Sequence, residues 1–92
     1  MGERMKTDNT QIIKICEALK KQISDLKIGE LQWTSNGRYY REIIAGGYKF
    51  VIYCENMECG YVYEWHDAGH CSMAEVTSSI VTLVNTLMRK RT

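Results

Sequence analysis

Apolar residues recur along the first third of the chain with a helical period. Ile12, Cys16, Leu19, Ile23 and Leu26 stand at spacings of four, three, four and three, with Ile15 beside them, while Lys14, Glu17, Lys20, Lys21 and Asp25 fall elsewhere on the wheel. This predicts an amphipathic helix, with Asp8 as N-cap, Gln11 completing a weak capping box, and Gly29 as the left-handed stop. Met1 to Thr7 has no periodicity and is expected to fray.

The period then drops to two. Leu31 to Thr34, Arg38 to Ala45, Tyr48 to Cys54 and Gly60 to His66 read as four strands. They are joined by Asn36-Gly37, Gly46-Gly47 and a loop over Glu55 to Glu58, so an up-and-down meander follows. A second helix begins at Ser72, which with Glu75 forms a capping box ahead of Val76, Ile80, Leu83, Val84 and Leu87, extended by Met73. The fold class is α+β: an N-terminal helix, a four-stranded antiparallel meander and a C-terminal helix in one domain, 1–92, with both helices on one face of the sheet.

Turn lengths set register, and register sets faces. Placing Cys54 opposite Cys59 puts Val51 against Val62 and Lys49 against Glu64; Gly46-Gly47 puts Ile43 against Phe50. One face then collects Tyr39, Arg41, Ile43, Ala45, Tyr48, Phe50, Ile52, Cys54, Tyr61, Tyr63 and Trp65, with a single charge, and is expected to lie under the helices. The other collects Tyr40, Glu42, Ile44, Lys49, Val51, Tyr53, Val62 and Glu64 and is expected to face solvent. Leu31 and Trp33 are open: a two-residue Asn36-Gly37 turn sends them outward, and a three-residue loop with a bulge returns them to the core.

Composition agrees with an ordinary globular domain, with 45% hydrophobic and 25% charged residues. The net charge of +1 hides a division that matters more: residues 30–70 carry three Lys/Arg against six Asp/Glu, whereas 1–29 carry six against four and 71–92 three against one. The meander is acidic, which argues against it as a phosphate-binding platform. No segment reaches the roughly 18 apolar residues of a membrane span and the N-terminus has no apolar run, so the expected location is the cytoplasm, with the four cysteines as reduced thiols or metal ligands.

Cys54, Cys59, His66, His70 and Cys71 have the look of zinc ligands, two thiols followed by two imidazoles. A single site needs its ligands within about 2.0–2.3 Å of one point, yet a strand over Gly60 to His66 puts Cys59 and His66 at opposite ends of the sheet. The preferred reading is a cross-strand pair of buried thiols at one end and a polar helix start at the other, with no cofactor. Cys71, beside His70 and near a helix N-terminus, has no orienting Asn or Asp at a recognisable spacing to make it a nucleophile. Glu55, Glu58, Glu64 and Asp67 read as a solvated acidic edge. Gly46-Gly47 joins two strands and is no phosphate loop. No catalytic residue is assigned, and no enzymatic activity is expected.

Element order resembles the double-stranded RNA-binding domain, whose second helix starts with a Lys-rich cluster; here Ser72 to Ser78 holds no Lys or Arg. Nucleic acid is therefore a secondary expectation, carried by Arg89, Lys90, Arg91 and the basic faces of the helices. "LKIGELQWTSNGRYY" followed by "GGYKFVIY" resembles small, uncharacterised bacterial and prophage-encoded accessory proteins of helix, meander, helix type. That resemblance implies a non-enzymatic protein that binds and blocks a host or defence protein. The aromatic outer face, Tyr40, Glu42, Lys49, Val51, Tyr53, Val62 and Glu64, is the expected interface, toward a protein partner or a second copy in a homodimer.

Overall fold

The computed structural model describes residues 2–33, 39–55 and 58–91, with side chains described for 10–32, 39–54 and 58–90. Helix α1 spans Gly2–Gln22, strands β1 to β5 span Lys27–Trp33, Tyr39–Ala45, Tyr48–Glu55, Glu58–Tyr63 and His66–Asp67, and helix α2 spans Met73–Arg91. The strands form one antiparallel sheet in sequence order. Helix, meander, helix is the expected architecture, with a short fifth strand added.

Both helices cover the face that register arithmetic selected. Tyr39, Ile43, Ala45, Phe50, Ile52, Cys54, Tyr61 and Tyr63 from the sheet pack with Ile12, Ile15, Cys16 and Leu19 of α1 and Val76, Ile80 and Val84 of α2 in a single core. Phe50 is its centre. Its ring stacks on Tyr63 at a centroid distance of 4.9 Å and meets Tyr61 at 6.1 Å, geometries that add to plain area burial. The tyrosine hydroxyls fasten α2: Tyr61 shares a 2.8 Å hydrogen bond with Ser79 Oγ, and Tyr48 donates to the Leu87 carbonyl at 3.3 Å.

Helix α1 departs from expectation at both ends. It already runs from Gly2, so Asp8 lies inside it and is no N-cap, and it stops at Gln22, well before Gly29. Ile23 and Leu26 continue the helical spacing, but Ser24 and Asp25 between them favour turns over helix, and Asp25 Oδ1 accepts from Gly46 N at 3.2 Å. Strand β1 therefore begins earlier, with Lys27 and Ile28 opposite Ile44 and Ile43. Gly29 sits instead where the β1–β2 register shifts, between Ile28 and Leu31, and a Cβ there would stand 2.9 Å from the Glu42 carbonyl oxygen. The shift settles Leu31: it pairs with Arg41 on the helix face and packs against the core. Trp33 is paired with Tyr39 in the backbone register, its side chain lying outside the described residues, as does the Asn36-Gly37 turn.

The second correction concerns the fourth strand, which ends at Tyr63 and not at His66. Glu64 and Trp65 form a two-residue turn with φ of 47° and 72°, the positive pair that a type I′ hairpin demands, and His66 and Asp67 return along β4 opposite Tyr63 and Val62. Trp65, expected under the helices, is 98% exposed at the tip of this turn. Neither residue is Gly or Asn, so the sequence carries no turn signal there. The Ser72–Glu75 capping box is formed as expected, Glu75 N donating to Ser72 Oγ at 3.2 Å and Ser72 N to Glu75 Oε1 at 3.3 Å.

Candidate functional site

The outer face of the sheet carries most of the residues expected to form an interface. Across it run the register rows Ile44–Lys49, Glu42–Val51–Val62–Asp67 and Tyr40–Tyr53–Gly60. Tyr40, Glu42, Val51 and Val62 are half-buried, Lys49 and Glu64 are exposed, and Ile44 is 40% exposed beside them. Val51 and Val62 lie side by side in the middle row between Glu42 and Asp67, with Ile44 beside Lys49 one row away, and the helices pack on the opposite face, leaving this strip open. At the β1 side, Lys27, Ile28, Gly29, Glu42, Ile44 and Lys49 line a shallow depression.

The charge pattern on this face differs from expectation. Lys49 pairs with Glu42, Nζ to Oε1 3.4 Å, and not with Glu64, because the chain leaves strand geometry at Glu64. Lys49 is largely exposed and the Glu42 side chain is open to solvent in part, so the pair orients the two side chains more than it stabilises the fold. Tyr40 donates from its hydroxyl to Gln32 Oε1 at 3.1 Å.

Tyr53 does not belong to the exposed set, being 6% exposed. β5 and the segment after it fold back over Tyr53: its hydroxyl donates to Asp67 Oδ1 at 2.6 Å, Gly69 N donates to the same oxygen at 2.8 Å, and the His70 ring meets its ring edge-on at 5.7 Å. Gly60, its cross-strand neighbour, makes the closure possible, since a Cβ at Gly60 would stand 2.7 Å from the Tyr53 ring and hydroxyl and closer still to the Gly69 carbonyl. The outer face is thus divided into an open strip around Val51 and Val62 and a closed end around Tyr53. Ala68 N donates to Tyr61 O at 2.9 Å, and Cys59 and Cys71 exchange backbone hydrogen bonds, so the returning chain follows β4 along its length.

That return changes the distribution of the metal-ligand candidates. Cys71 lies beside Cys59, and Cys54 and Cys59 touch, while His66 is held at the far end of β4 opposite Tyr63 and His70 rests on Tyr53. Three thiols gather at one end of the sheet, with His66 apart from them at the other and His70, next to Cys71 in the chain, turned onto the Tyr53 ring. Among the described residues no group of three or more His, Cys, Asp or Glu is arranged to hold a metal ion. Cys71 Sγ faces the Ala68 carbonyl at 3.9 Å. Asp67, read as part of a solvated edge, is a structural acceptor for Tyr53 and Gly69.

On the helix face, burial raises the Cys16 thiol above its ordinary pKa, the Arg41 guanidinium beside it acting in the opposite sense. Arg41 Nε is buried and, among the described residues, has no hydrogen-bond partner. Arg89 and Lys90 stand exposed in the last turn of α2, and the Arg91 side chain lies outside the described residues. No helix among the described residues is long and apolar enough to cross a membrane.

The residue that sequence reasoning missed is Trp65. Period-two alternation through Tyr61, Tyr63 and Trp65 assigns it to the core, and only the return of the chain at Glu64 exposes it. In comparison with known protein families, characterised proteins and solved structures, the chain matches none of them.

Proposed function

We propose that this chain is a non-enzymatic protein-binding module whose interface is the open strip of the outer sheet face together with the Trp65 turn. The observation that carries this reading is Trp65 itself. An indole 98% exposed is held at a turn tip by two consecutive non-glycine residues at positive φ. Left-handed backbone costs roughly 1–2 kcal/mol for each such residue, and no core packing of the indole offsets it. Tryptophan is among the side chains most enriched in residues that dominate binding energy, and here it stands at the tip of the β4–β5 turn, three residues beyond Val62. Val51, Val62 and Ile44 supply an apolar centre, and Glu42, Lys49 and Glu64 a charged rim, which is the anatomy of a recognition surface.

The partner class this favours is a protein with an apolar pocket able to take an indole, and the mode of action is binding and blocking of that partner, the behaviour of an accessory protein. The test is affinity capture with the full chain against Trp65→Ala and Val51→Glu in parallel. A partner retained by the parent chain and lost by about 30-fold or more with Trp65→Ala, at unchanged thermal stability, is the expected result. Retention of nucleic acid alone, or of proteins indifferent to both substitutions and released by moderate salt, would overturn it in favour of phosphate contacts through Arg89 and Lys90.

A further inference from the structure

The β3–β4 hairpin ends in two thiols that the interface does not use. Cys54 and Cys59 are register partners, both fully buried, with Sγ atoms 2.6 Å apart. The backbone of Cys59 is engaged on its other side: its N–H donates to Cys71 O at 3.0 Å and its carbonyl accepts from Cys71 N at 2.6 Å. A residue in an antiparallel sheet directs both groups to one neighbour, so Cys54 and Cys59 form a non-hydrogen-bonded pair, the kind with Cα atoms about 4.5 Å apart and side chains closest. That separation lies inside the roughly 4.4–6.8 Å range a disulfide spans, so the bond needs no backbone movement.

We propose that Cys54 and Cys59 are a modification site, a cross-strand dithiol converted reversibly into an intrachain disulfide by a low-molecular-weight disulfide of the glutathione class. Both sulfurs are fully buried, so the oxidant meets them on local opening of this pair; one cysteine thiolate then attacks a sulfur of the oxidant and releases one thiol, and the second attacks the resulting mixed disulfide and releases the other. Two protein S–H bonds and the oxidant S–S bond are broken, one protein S–S bond and two oxidant S–H bonds are formed, and two electrons pass to the oxidant. The second step is favoured because the two sulfurs are already in contact. Oxidation also removes the S–H that Cys59 donates to Gln11 Oε1 at 3.5 Å, so the change is felt at α1. Cys71 is the nearest competitor, half-exposed and paired with Cys59 through the backbone. Cys16 sits in α1 beside Arg41.

The experiment equilibrates the reduced full chain with mixtures of reduced and oxidised glutathione, counts thiols by alkylation and intact mass, and maps the bond after cleavage at Lys49, at Met57 and before Asp67, which puts each cysteine on its own fragment. The expected product is a single chain with two of its four thiols lost and the fragments 50–57 and 58–66, which hold Cys54 and Cys59, joined until reduced. Cys54→Ser and Cys59→Ser abolish that loss, and Cys71→Ser leaves it intact. Four thiols persisting in the most oxidising mixture, a bond mapped to Cys71 or Cys16, or glutathione adducts and interchain dimers in its place would each overturn the proposal. Should a serine variant fail to fold, the map of the parent chain decides by itself.

Discussion

Gly60 and Tyr53 show how one missing side chain positions several others. Because a Cβ at Gly60 would collide with the Gly69 carbonyl and the Tyr53 ring, Gly60→Ala must push the returning chain off β4. Overpacking of this kind costs about 1–3 kcal/mol, and the expected outcome is a loss in that range in denaturant unfolding. Tyr53→Phe keeps the ring and removes the hydroxyl that donates to Asp67 at 2.6 Å. A stability loss of about 1–2 kcal/mol is expected, with faster hydrogen exchange at the Ala68 and Gly69 amides, while exchange in β2 stays unchanged. Cys16 supplies a pH dependence. Its thiol is raised in the folded chain, so the contribution is intact at neutral pH; as pH climbs past 9.0, the ordinary thiol value, the unfolded chain ionises while the folded one holds its proton, and stability falls. Cys16→Ala should make that alkaline decline shallower when unfolding free energy is followed against pH.

At the scale of elements, the start of α2 and the last hairpin follow different logic. The start of α2 is fixed locally by reciprocal bonds between Ser72 and Glu75. Ser72→Ala is expected to cost about 1 kcal/mol, read from thermal or denaturant unfolding. The Glu64–Trp65 turn is held against local preference, since both residues take a positive φ that Asn and Gly adopt with little cost. Giving this turn an Asn-Gly pair, by Glu64→Asn with Trp65→Gly, is expected to stabilise the chain by about 1 kcal/mol and to abolish partner binding together. Stability gained with binding retained would remove Trp65 from the interface. The β1–β2 pair was legible only in part: Leu31 alternates correctly with either face, and the shift at Gly29 that selects the core depends on how closely β1 approaches Glu42.

For the molecule as a whole, the two helical stripes and three of the strands were readable because each has a long period with apolar residues in phase. Phe50, Ile52, Ile43 and Ala45 alternate through adjoining strands, and the Gly46-Gly47 turn fixes their register, so the buried face of β2 and β3 followed from counting. The open strip of the candidate site was legible for the same reason, since Tyr40, Glu42, Lys49, Val51 and Val62 are the out-of-phase residues of those same strands. What lay beyond reading were features made by chain segments meeting far from where they start: Tyr53 closed over by 67–70, Cys71 carried back to Cys59, and Trp65 turned out of the core. Each depends on the reversal at Glu64 and Trp65, whose residues carry no local preference for it, although Asp67 and Gly69 beyond it do form a locally favoured turn.

The sequence by itself therefore determined element order, the helix-covered face and the register of the central hairpins, because hydrophobic period and glycine turn chemistry are local and act within a few residues. The tertiary structure alone decided where β4 ends, which aromatic side chains stay open to a partner and which thiols touch. Those outcomes rest on a backbone reversal at Glu64 and Trp65 that is unfavourable locally, and only the pairing of the returning segment with β4 and the cover it places over Tyr53 offsets that cost.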